Sequence, residues 1–217
     1  RASAVAAATV PAAPAVHLFT PPPYGGVTAY AGRVTDPLER RAAELIGEAA
    51  HGYFAGGAGD ELVIARNIEQ WQHHRLAPRT LVDVSQIDTG VTVLGRRWAH
   101  PVAIAPMAYQ RHAHDEGEVA VARAAAQSRT LFTLSSQTTC PPAEVAAVMD
   151  AESAGSPRWF QLYVFRDRAV NEDLIAAARE GGHEALVITV DFPVGGIRER
   201  DRRTGFAPTH PTLLDRV

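Results

Sequence analysis

Four short apolar runs recur along the chain, and stretches of helical character separate them. They are PVAIAPMA (101–108), LFTLSS (131–136), WFQLYV (159–164) and ALVITVD (185–191), and each ends in small or polar residues. The runs start at residues 101, 131, 159 and 185. Such a spacing between successive strands is typical of a βα unit, in which a strand and the helix after it form one repeat. The pattern predicts four parallel strands of a barrel or a doubly wound sheet. A (β/α)₈ barrel has eight such units over about 250 residues, and this sequence contains four.

Two helices are expected before the first run. Asp36 at the N-cap and Pro37 at the first helical position start a helix that should reach about His51 and pack by one apolar face. GGAG (56–59) then forms a helix stop and tight turn, and Asp60 is expected to cap the second helix. The apolar positions are Leu38, Ala42, Leu45, Ile46 and Ala49 in the first helix and Leu62, Ile64, Ile68 and Trp71 in the second.

A β-hairpin is expected between these helices and the first run. VTVLGRRWA (91–99) contains two short alternating segments, and such a hairpin would suit the N-terminal end of a barrel. The helices between the runs are expected at about 115–127, 141–150 and 167–180, and Asp167 should begin the last of them.

Composition excludes several classes of function. The 217 residues are 46% hydrophobic and 21% charged, and no apolar stretch approaches the roughly 18 residues of a membrane span. All 21 basic residues are arginines, against 24 acidic ones, so no nucleic-acid partner is expected. Cys140 is the only cysteine, which excludes an intrachain disulfide and agrees with a reducing, cytoplasmic location. The histidine pairs His73-His74 and His112-x-His114 have no carboxylate or cysteine at ligand spacing, so no metal site is expected.

Polar side chains stand at the ends of the later runs. In (β/α) barrels the reactive groups lie at the carboxyl ends of the strands. Gln161 and Tyr163 alternate at i and i+2, as do Thr189 and Asp191, so each pair shares one side of its strand. Together they could form a site for a polar ring system or a small acid, or they could be satisfied polar groups of the core. A carboxylate such as Asp191, if buried, would need a cationic partner.

Seven sequence blocks between about residues 36 and 206 carry a family resemblance. They are YFAGGAGDE (53–61), IAPMAYQ (104–110), HDEGEVAVARAA (114–125), LSS (134–136), WFQLYV (159–164), TVDFP (189–193) and RERD (198–201). In this order and spacing they resemble the FMN-dependent α-hydroxy-acid oxidases and dehydrogenases, which oxidise glycolate, lactate and mandelate.

The resemblance implies an α/β fold, a (β/α)₈ TIM barrel with FMN at the carboxyl ends of its strands. This chain would supply the N-terminal extension and the first four strands. The implied parts are an Ala/Pro-rich extension (1–35), N-terminal helices with a barrel-bottom hairpin (36–100), the first half of the barrel (101–191) and a basic active-site loop (192–217).

The resemblance also implies roles for particular residues. Against the flavin it places the backbone of Pro106, Met107 and Ala108 and the ring-binding side chains of Ser135, Gln161 and Thr189. For catalysis it implies that Tyr53 helps to bind the substrate carboxylate and that Tyr163 lies near the substrate hydroxyl. It also implies that Asp191 pairs with a catalytic histidine and that Arg198 is an active-site arginine.

The implied reaction is oxidation of a 2-hydroxy acid to a 2-oxo acid, with a mild preference for an aromatic, mandelate-like substrate. Gln137 replaces an aromatic residue that some members carry near the substrate, and Asp115 replaces a common proline. The catalytic histidine, a substrate-binding arginine, the lysine beside the flavin and the phosphate-binding segment of the family belong to later strands. We therefore expect a second polypeptide with the C-terminal half, in a homo-oligomer.

Two other functions are compatible with the sequence. The chain could be a non-catalytic half-barrel that acts as a binding or assembly module, or part of a different FMN barrel such as a flavin-dependent isomerase. His112 or His114 could in principle replace the absent catalytic histidine.

Overall fold

The computed structural model of the protein describes residues 37–191 and 194–215. The expected extension at 1–35 and the Asp36 cap lie outside the described residues. Within them the chain has an α/β fold with two sheets. The smaller is the predicted hairpin, strands β1 (Val91–Val93) and β2 (Arg96–Trp98), and its turn residues Leu94 and Gly95 both have positive φ. Positive φ at both turn positions matches the twist of a two-residue hairpin.

The larger sheet contains the four predicted strands in chain order. They are β3 (Ala103–Ile104), β4 (Leu131–Ser135), β5 (Arg158–Tyr163) and β6 (Leu186–Thr189), and every neighbouring pair is parallel. The prediction of parallel strands in this order is confirmed. Strand β3 is shorter than the apolar run at 101–108 because Pro101 and Pro106 have no N–H to donate to a ladder.

The core lies between one face of this sheet and three helices. Phe132 and Phe160, on β4 and β5, are fully buried, and each buried aromatic of this kind contributes about 1.5–3 kcal/mol. Because side chains alternate along a strand, Ser135 and Gln161 point to the other face. The edge strand β6 is not covered in this way, since Leu186 is 40% and Ile188 52% exposed.

The three helices between the strands lie close to their predicted positions. They are α3 (Glu118–Gln127), α4 (Pro142–Glu152) and α5 (Arg168–Glu180). Asp167 caps α5 as predicted, and its carboxylate accepts a hydrogen bond from the backbone nitrogen of Ala169 at 3.0 Å. Helix α3 begins later than expected because Gly117, with φ 51, closes a turn before it.

The two N-terminal helices differ from the prediction in how they pack. Helix α1 (Pro37–Ala55) is longer than expected and kinks at Gly47, where φ is 79. The expected packing of its apolar face is wrong, since Leu38 is 77% and Leu45 67% exposed. Helix α2 (Leu62–His73) buries none of its residues, and its N-cap is Glu61 rather than Asp60. Of the predicted apolar positions, Ile46, Ala49, Ile64 and Ile68 are half-buried, so the described residues cover these faces only in part.

The expected loop at 192–217 contains regular structure that the sequence pattern did not predict. Glu199–Thr204 forms a short helix, α6, and Leu213–Asp215 forms a 3₁₀ turn. Gly205, with φ 66, ends α6 in the left-handed conformation that favours glycine. Six residues are too few for helical periodicity to be visible. Among the described residues, none of the helices has the length and hydropathy that a bilayer crossing requires.

Candidate active site

A chain of hydrogen bonds crosses β4, β5 and β6 at their carboxyl ends. The Gln161 side-chain oxygen accepts from the Ser135 hydroxyl at 3.1 Å, and the Gln161 amide nitrogen donates to the Thr189 hydroxyl at 2.9 Å. The backbone nitrogen of Ser136 donates to the same Gln161 oxygen at 3.3 Å. Gln161 is only 2% exposed, so its amide orientation is fixed by these partners. The three side chains predicted to bind the flavin ring therefore lie together.

The segment predicted to lie against the flavin follows β3 at the same end of the sheet. Pro106 and Met107 are exposed and Ala108 is half-buried. The carbonyl oxygen of Met107 accepts a hydrogen bond from the Gln110 amide at 3.3 Å. This bond holds the backbone while the segment stays accessible. Its contact with a flavin remains a prediction.

A cavity of about 740 Å³ lies at these strand ends. Three of the four predicted catalytic residues line it, together with the last residue of the hydrogen-bond chain, Thr189. The polar and aromatic lining residues are Tyr53, Tyr109, Gln137, Tyr163, Phe165, Thr189 and Arg198. This volume is within the range of small-molecule and cofactor sites.

Arg198 is held at the cavity wall by two neighbouring residues. Its Nε donates to Asp201 Oδ2 at 2.6 Å, and its Nη2 donates to Asp201 Oδ1 at 3.3 Å and to the backbone oxygen of Tyr53. The guanidinium carbon also lies 4.8 Å from the centroid of the Tyr53 ring, which is a cation–π contact. The arrangement presents one fixed positive charge to the cavity.

Tyr53 is the aromatic centre of the site. Its ring stacks on Phe206 at 4.3 Å between centroids and lies 5.6 Å from the ring of Tyr109. Burial, with a smaller contribution from Tyr109, raises the pKa of Tyr53 to about 12, although Arg198 acts in the opposite direction. The phenol is therefore a neutral hydrogen-bond donor at physiological pH.

The glycine turn after α1 ties α6 to this region. The backbone nitrogen of Gly59 donates to the Ile197 carbonyl at 2.9 Å, and Glu61 pairs with Arg200 of α6. The pKa of Glu61 is lowered by a hydrogen bond from the Gly57 backbone and by Arg200. The expected helix stop at 56–59 is confirmed, and it also fixes the start of α6.

Asp191 is not placed as the sequence suggested. It is exposed, and it does not line the cavity. Asp191 follows β6, which is an edge strand of the described sheet, and the residue before it, Val190, is 85% exposed. Its pairing with a catalytic histidine remains a prediction.

Neither candidate replacement histidine lines the cavity. His112 Nε2 accepts a hydrogen bond from the Thr209 backbone nitrogen at 2.9 Å. Burial, and secondarily His210, lower the pKa of His112. His114 Nδ1 accepts from the Glu116 backbone nitrogen at 3.2 Å. Both rings are used to hold loops, which does not favour either as the base.

Sequence reasoning missed three residues of the site. Tyr109 adopts a left-handed conformation, φ 59, and its backbone nitrogen donates to the Gln137 carbonyl at 3.2 Å. Phe206 stacks on Tyr53, and Asp201 holds Arg198. A signal existed only for Asp201, because an acid three residues after an arginine can pair with it on one helical turn.

Comparison with known proteins identifies the class to which this fold and site belong. A profile of the FMN-dependent dehydrogenase family matches residues 42–216. The chain therefore belongs to the FMN-dependent dehydrogenase family.

Three similar proteins illustrate the extent of the match. L-lactate oxidase from Nostoc sp. is 44% identical over 168 residues, which are 77% of this chain and 46% of the relative. Glycolate oxidase 1 from Zea mays is 41% identical over 185 residues, 84% of this chain and 49% of the relative. A crystal structure of mandelate oxidase with 3,3-difluoro-2-hydroxy-3-phenylpropionic acid has a TM-score of 0.74 at 40% identity and covers 82% of this chain and 52% of its own. The chain spans about half the length of the relatives that it matches.

Ser135, Gln161 and Thr189 form a polar row across β4, β5 and β6, and its hydrogen-bonding capacity fits a flavin ring. An isoalloxazine ring carries carbonyl oxygens and unprotonated ring nitrogens that accept hydrogen bonds. The second amide hydrogen of Gln161 and the hydroxyl hydrogen of Thr189 have no acceptor among the described residues. Thr189 lines the cavity and Gln161 lies next to it on β5, and donors of this kind are the groups such a ring requires.

Proposed function

We propose that this chain forms the N-terminal half of an FMN-dependent enzyme that oxidises a 2-hydroxy acid to a 2-oxo acid. The observation that carries the proposal is the position of Thr189. This residue is the last member of the polar row of Ser135, Gln161 and Thr189, and it also lines the cavity together with Tyr53 and Arg198. A ring held by the first group would have the second group beside it. The similarity to L-lactate oxidase and glycolate oxidase supports this reaction class.

The residues of this chain would bind and orient both reactants. When bound, FMN supplies an acceptor for the two electrons that leave the substrate. The amide of Gln161 and the hydroxyl of Thr189 orient the ring, and the Arg198 guanidinium attracts the substrate carboxylate by a charge-assisted hydrogen bond. Tyr53, which stays protonated, donates to the same carboxylate, and Tyr163 lies by the substrate hydroxyl.

Proton removal would be done by polypeptide that this sequence does not include. In our proposal the remaining half of the barrel supplies the catalytic histidine, a second arginine and the lysine beside the flavin. Asp191 would then stabilise the protonated histidine. A second polypeptide as the source of this half remains a prediction. Intact mass spectrometry of the native protein tests it, since a single species of 23.3 kDa with bound flavin would contradict it.

An aromatic 2-hydroxy acid is the substrate that we favour. Tyr109, Tyr163 and Phe165 line the cavity and provide faces against which a phenyl ring can pack. Gln137 also lines it, at the position where some family members carry an aromatic side chain, and this leaves room for a larger substrate.

Flavin reduction under anaerobic conditions tests the proposal. The protein is purified from its native source with any polypeptide that accompanies it, loaded with FMN and mixed with mandelate, lactate or glycolate. We expect loss of visible flavin absorbance with at least one of these acids, and the fastest loss with mandelate. Bound flavin that none of them reduces would favour a different FMN barrel, such as an isomerase. A protein that binds no flavin would favour a non-catalytic assembly module.

A further inference from the structure

We infer that Asp201 is a positioning residue, whose carboxylate aims the Arg198 guanidinium at the carboxylate of the substrate. This inference rests on the proposed function and deepens it, because it assigns the device that fixes the substrate-binding charge. Asp201 lies on α6 and does not line the cavity. It would act through Arg198 and not on the substrate itself.

The contacts of Arg198 leave one side of its guanidinium for a ligand. Nε and one hydrogen of Nη2 are used by Asp201, and the other hydrogen of Nη2 is used by the Tyr53 backbone oxygen. The two hydrogens of Nη1 have no acceptor in the described part of the chain. Arg198 also lines the cavity. Because Nε and Nη2 are held by the protein, the hydrogens of Nη1 can be presented to a carboxylate in a fixed direction.

The ion pair is sheltered enough to hold this direction. The side chains of Arg198 and Asp201 are 33% and 18% exposed, respectively. An arginine side chain has large conformational entropy, which must be lost before it can bind a ligand in one geometry. Asp201 fixes the side chain before the ligand arrives, so less of this entropy is lost on binding.

Asp201 also connects Arg198 with the ring stack. Its backbone carbonyl accepts hydrogen bonds from the backbone nitrogens of Gly205 and Phe206, the latter at 3.0 Å. Phe206 stacks on Tyr53, whose backbone oxygen accepts from Arg198. Asp201 therefore binds Arg198 directly and is connected to Tyr53 through Phe206 and Arg198.

The same helix provides a matched control. Glu199 and Asp201 both lie in the first turn of α6, so their charges interact similarly with the helix dipole. Glu199 pairs with Arg202 at 3.1 Å, and these side chains are 54% and 71% exposed. Glu199→Gln removes one negative charge and one ion pair from α6 without touching Arg198.

Calorimetric titration with an acid and its amide separates positioning from general structural damage. Two pairs of probes are titrated into the complete FMN-loaded protein: pyruvate with pyruvamide, and benzoylformate with benzoylformamide. The variants are then compared with the pair whose acid the wild type binds more tightly. Asp201→Asn should weaken binding of the acid by about tenfold, the usual effect of one charge-assisted hydrogen bond in a coupled network. It should change binding of the amide by less than about twofold, and Glu199→Gln should change neither. Partial misfolding lowers the stoichiometry and leaves the acid-to-amide ratio of the folded fraction unaltered.

A double-mutant cycle completes the test. In an Arg198→Gln background, Asp201→Asn should have no further effect on the acid-to-amide ratio, because its route of action is already absent. Equal losses for acid and amide, or a ratio as in the wild type, would overturn the inference while leaving the proposed function intact. A wild type that binds neither acid more tightly than its amide would overturn the proposed function and this inference with it.

Discussion

The side-chain amide of Gln161 bridges its two neighbouring strands, with its nitrogen 2.9 Å from the Thr189 hydroxyl. On the other side its oxygen accepts from Ser135 at 3.1 Å. The amide is therefore both a structural connection between β4 and β6 and, in our proposal, a donor to the flavin ring.

Replacing Gln161 tests both of these roles. Gln161→Leu keeps the volume and leaves the buried Ser135 hydroxyl without its acceptor, at a cost of about 1–3 kcal/mol. We expect this loss in urea unfolding, and we expect weaker retention of FMN on gel filtration. Gln127→Leu is the control, because Gln127 is exposed and bonds only to Glu152. If both variants retained FMN equally, Gln161 would not be a flavin ligand.

Tyr53 should give the protein a particular response to alkali. Because burial raises its pKa to about 12 from 10, the folded state keeps a proton that the unfolded state loses between these values. The free energy of unfolding is therefore not reduced by this phenol below pH 10, and it decreases as the pH rises towards 12. Tyr53→Phe keeps the stack on Phe206 and should reduce this decrease, measured as the unfolding midpoint between pH 9 and 12. An unchanged slope in the variant would show that the phenol does not titrate in this way.

His183 should determine part of the response to acid. Burial, with a smaller opposing effect from the Ala178 carbonyl, lowers its pKa from 6.5 to about 4, and its buried Nε2 has no partner in the described residues. The unfolded state therefore binds an additional proton between pH 4 and 6.5. Stability is complete above pH 6.5 and decreases as the pH falls, by at most about 3 kcal/mol. His183→Asn should flatten urea stability over this range, and a slope equal to that of the wild type would contradict the assignment.

The exposed edge of β6 should matter for assembly. Ile188 is 52% exposed on a strand that is paired only with β5 in the described chain. Ile188→Lys should leave helix and strand content by circular dichroism unaltered and weaken association with polypeptide that completes the barrel, as seen by analytical ultracentrifugation. Leu94→Lys, at an exposed hairpin turn, is the control and should not affect association. Equal behaviour of the two variants would exclude β6 as a contact edge.

The sheet and its polar row could be predicted from the sequence because both depend on short-range periodicity. The spacing of the apolar runs indicated four βα units. The alternation of side chains along each strand predicted which of them share a side, and the structure joins Gln161 and Thr189 by a hydrogen bond at the strand ends. Capping chemistry at Asp167 was equally local.

The remaining features depend on contacts that one sequence does not specify. The apolar face of α1 indicates that Leu38 and Leu45 can be buried, but burial needs a partner surface, and both are exposed. Asp191 is exposed for the same reason, as it lies after an edge strand. The role of Asp201 depends on the fold of a helix too short to be recognised by periodicity.

A crystal structure of the complete protein with FMN and a 2-oxo acid tests the proposed binding of both reactants most directly. We predict that acceptor atoms of the flavin ring lie within hydrogen-bond distance of Gln161 Nε2 and Thr189 Oγ1. We also predict that the ligand carboxylate lies at Arg198 Nη1 and the Tyr53 hydroxyl. A flavin bound elsewhere, or a carboxylate that contacts neither Arg198 nor Tyr53, would contradict it.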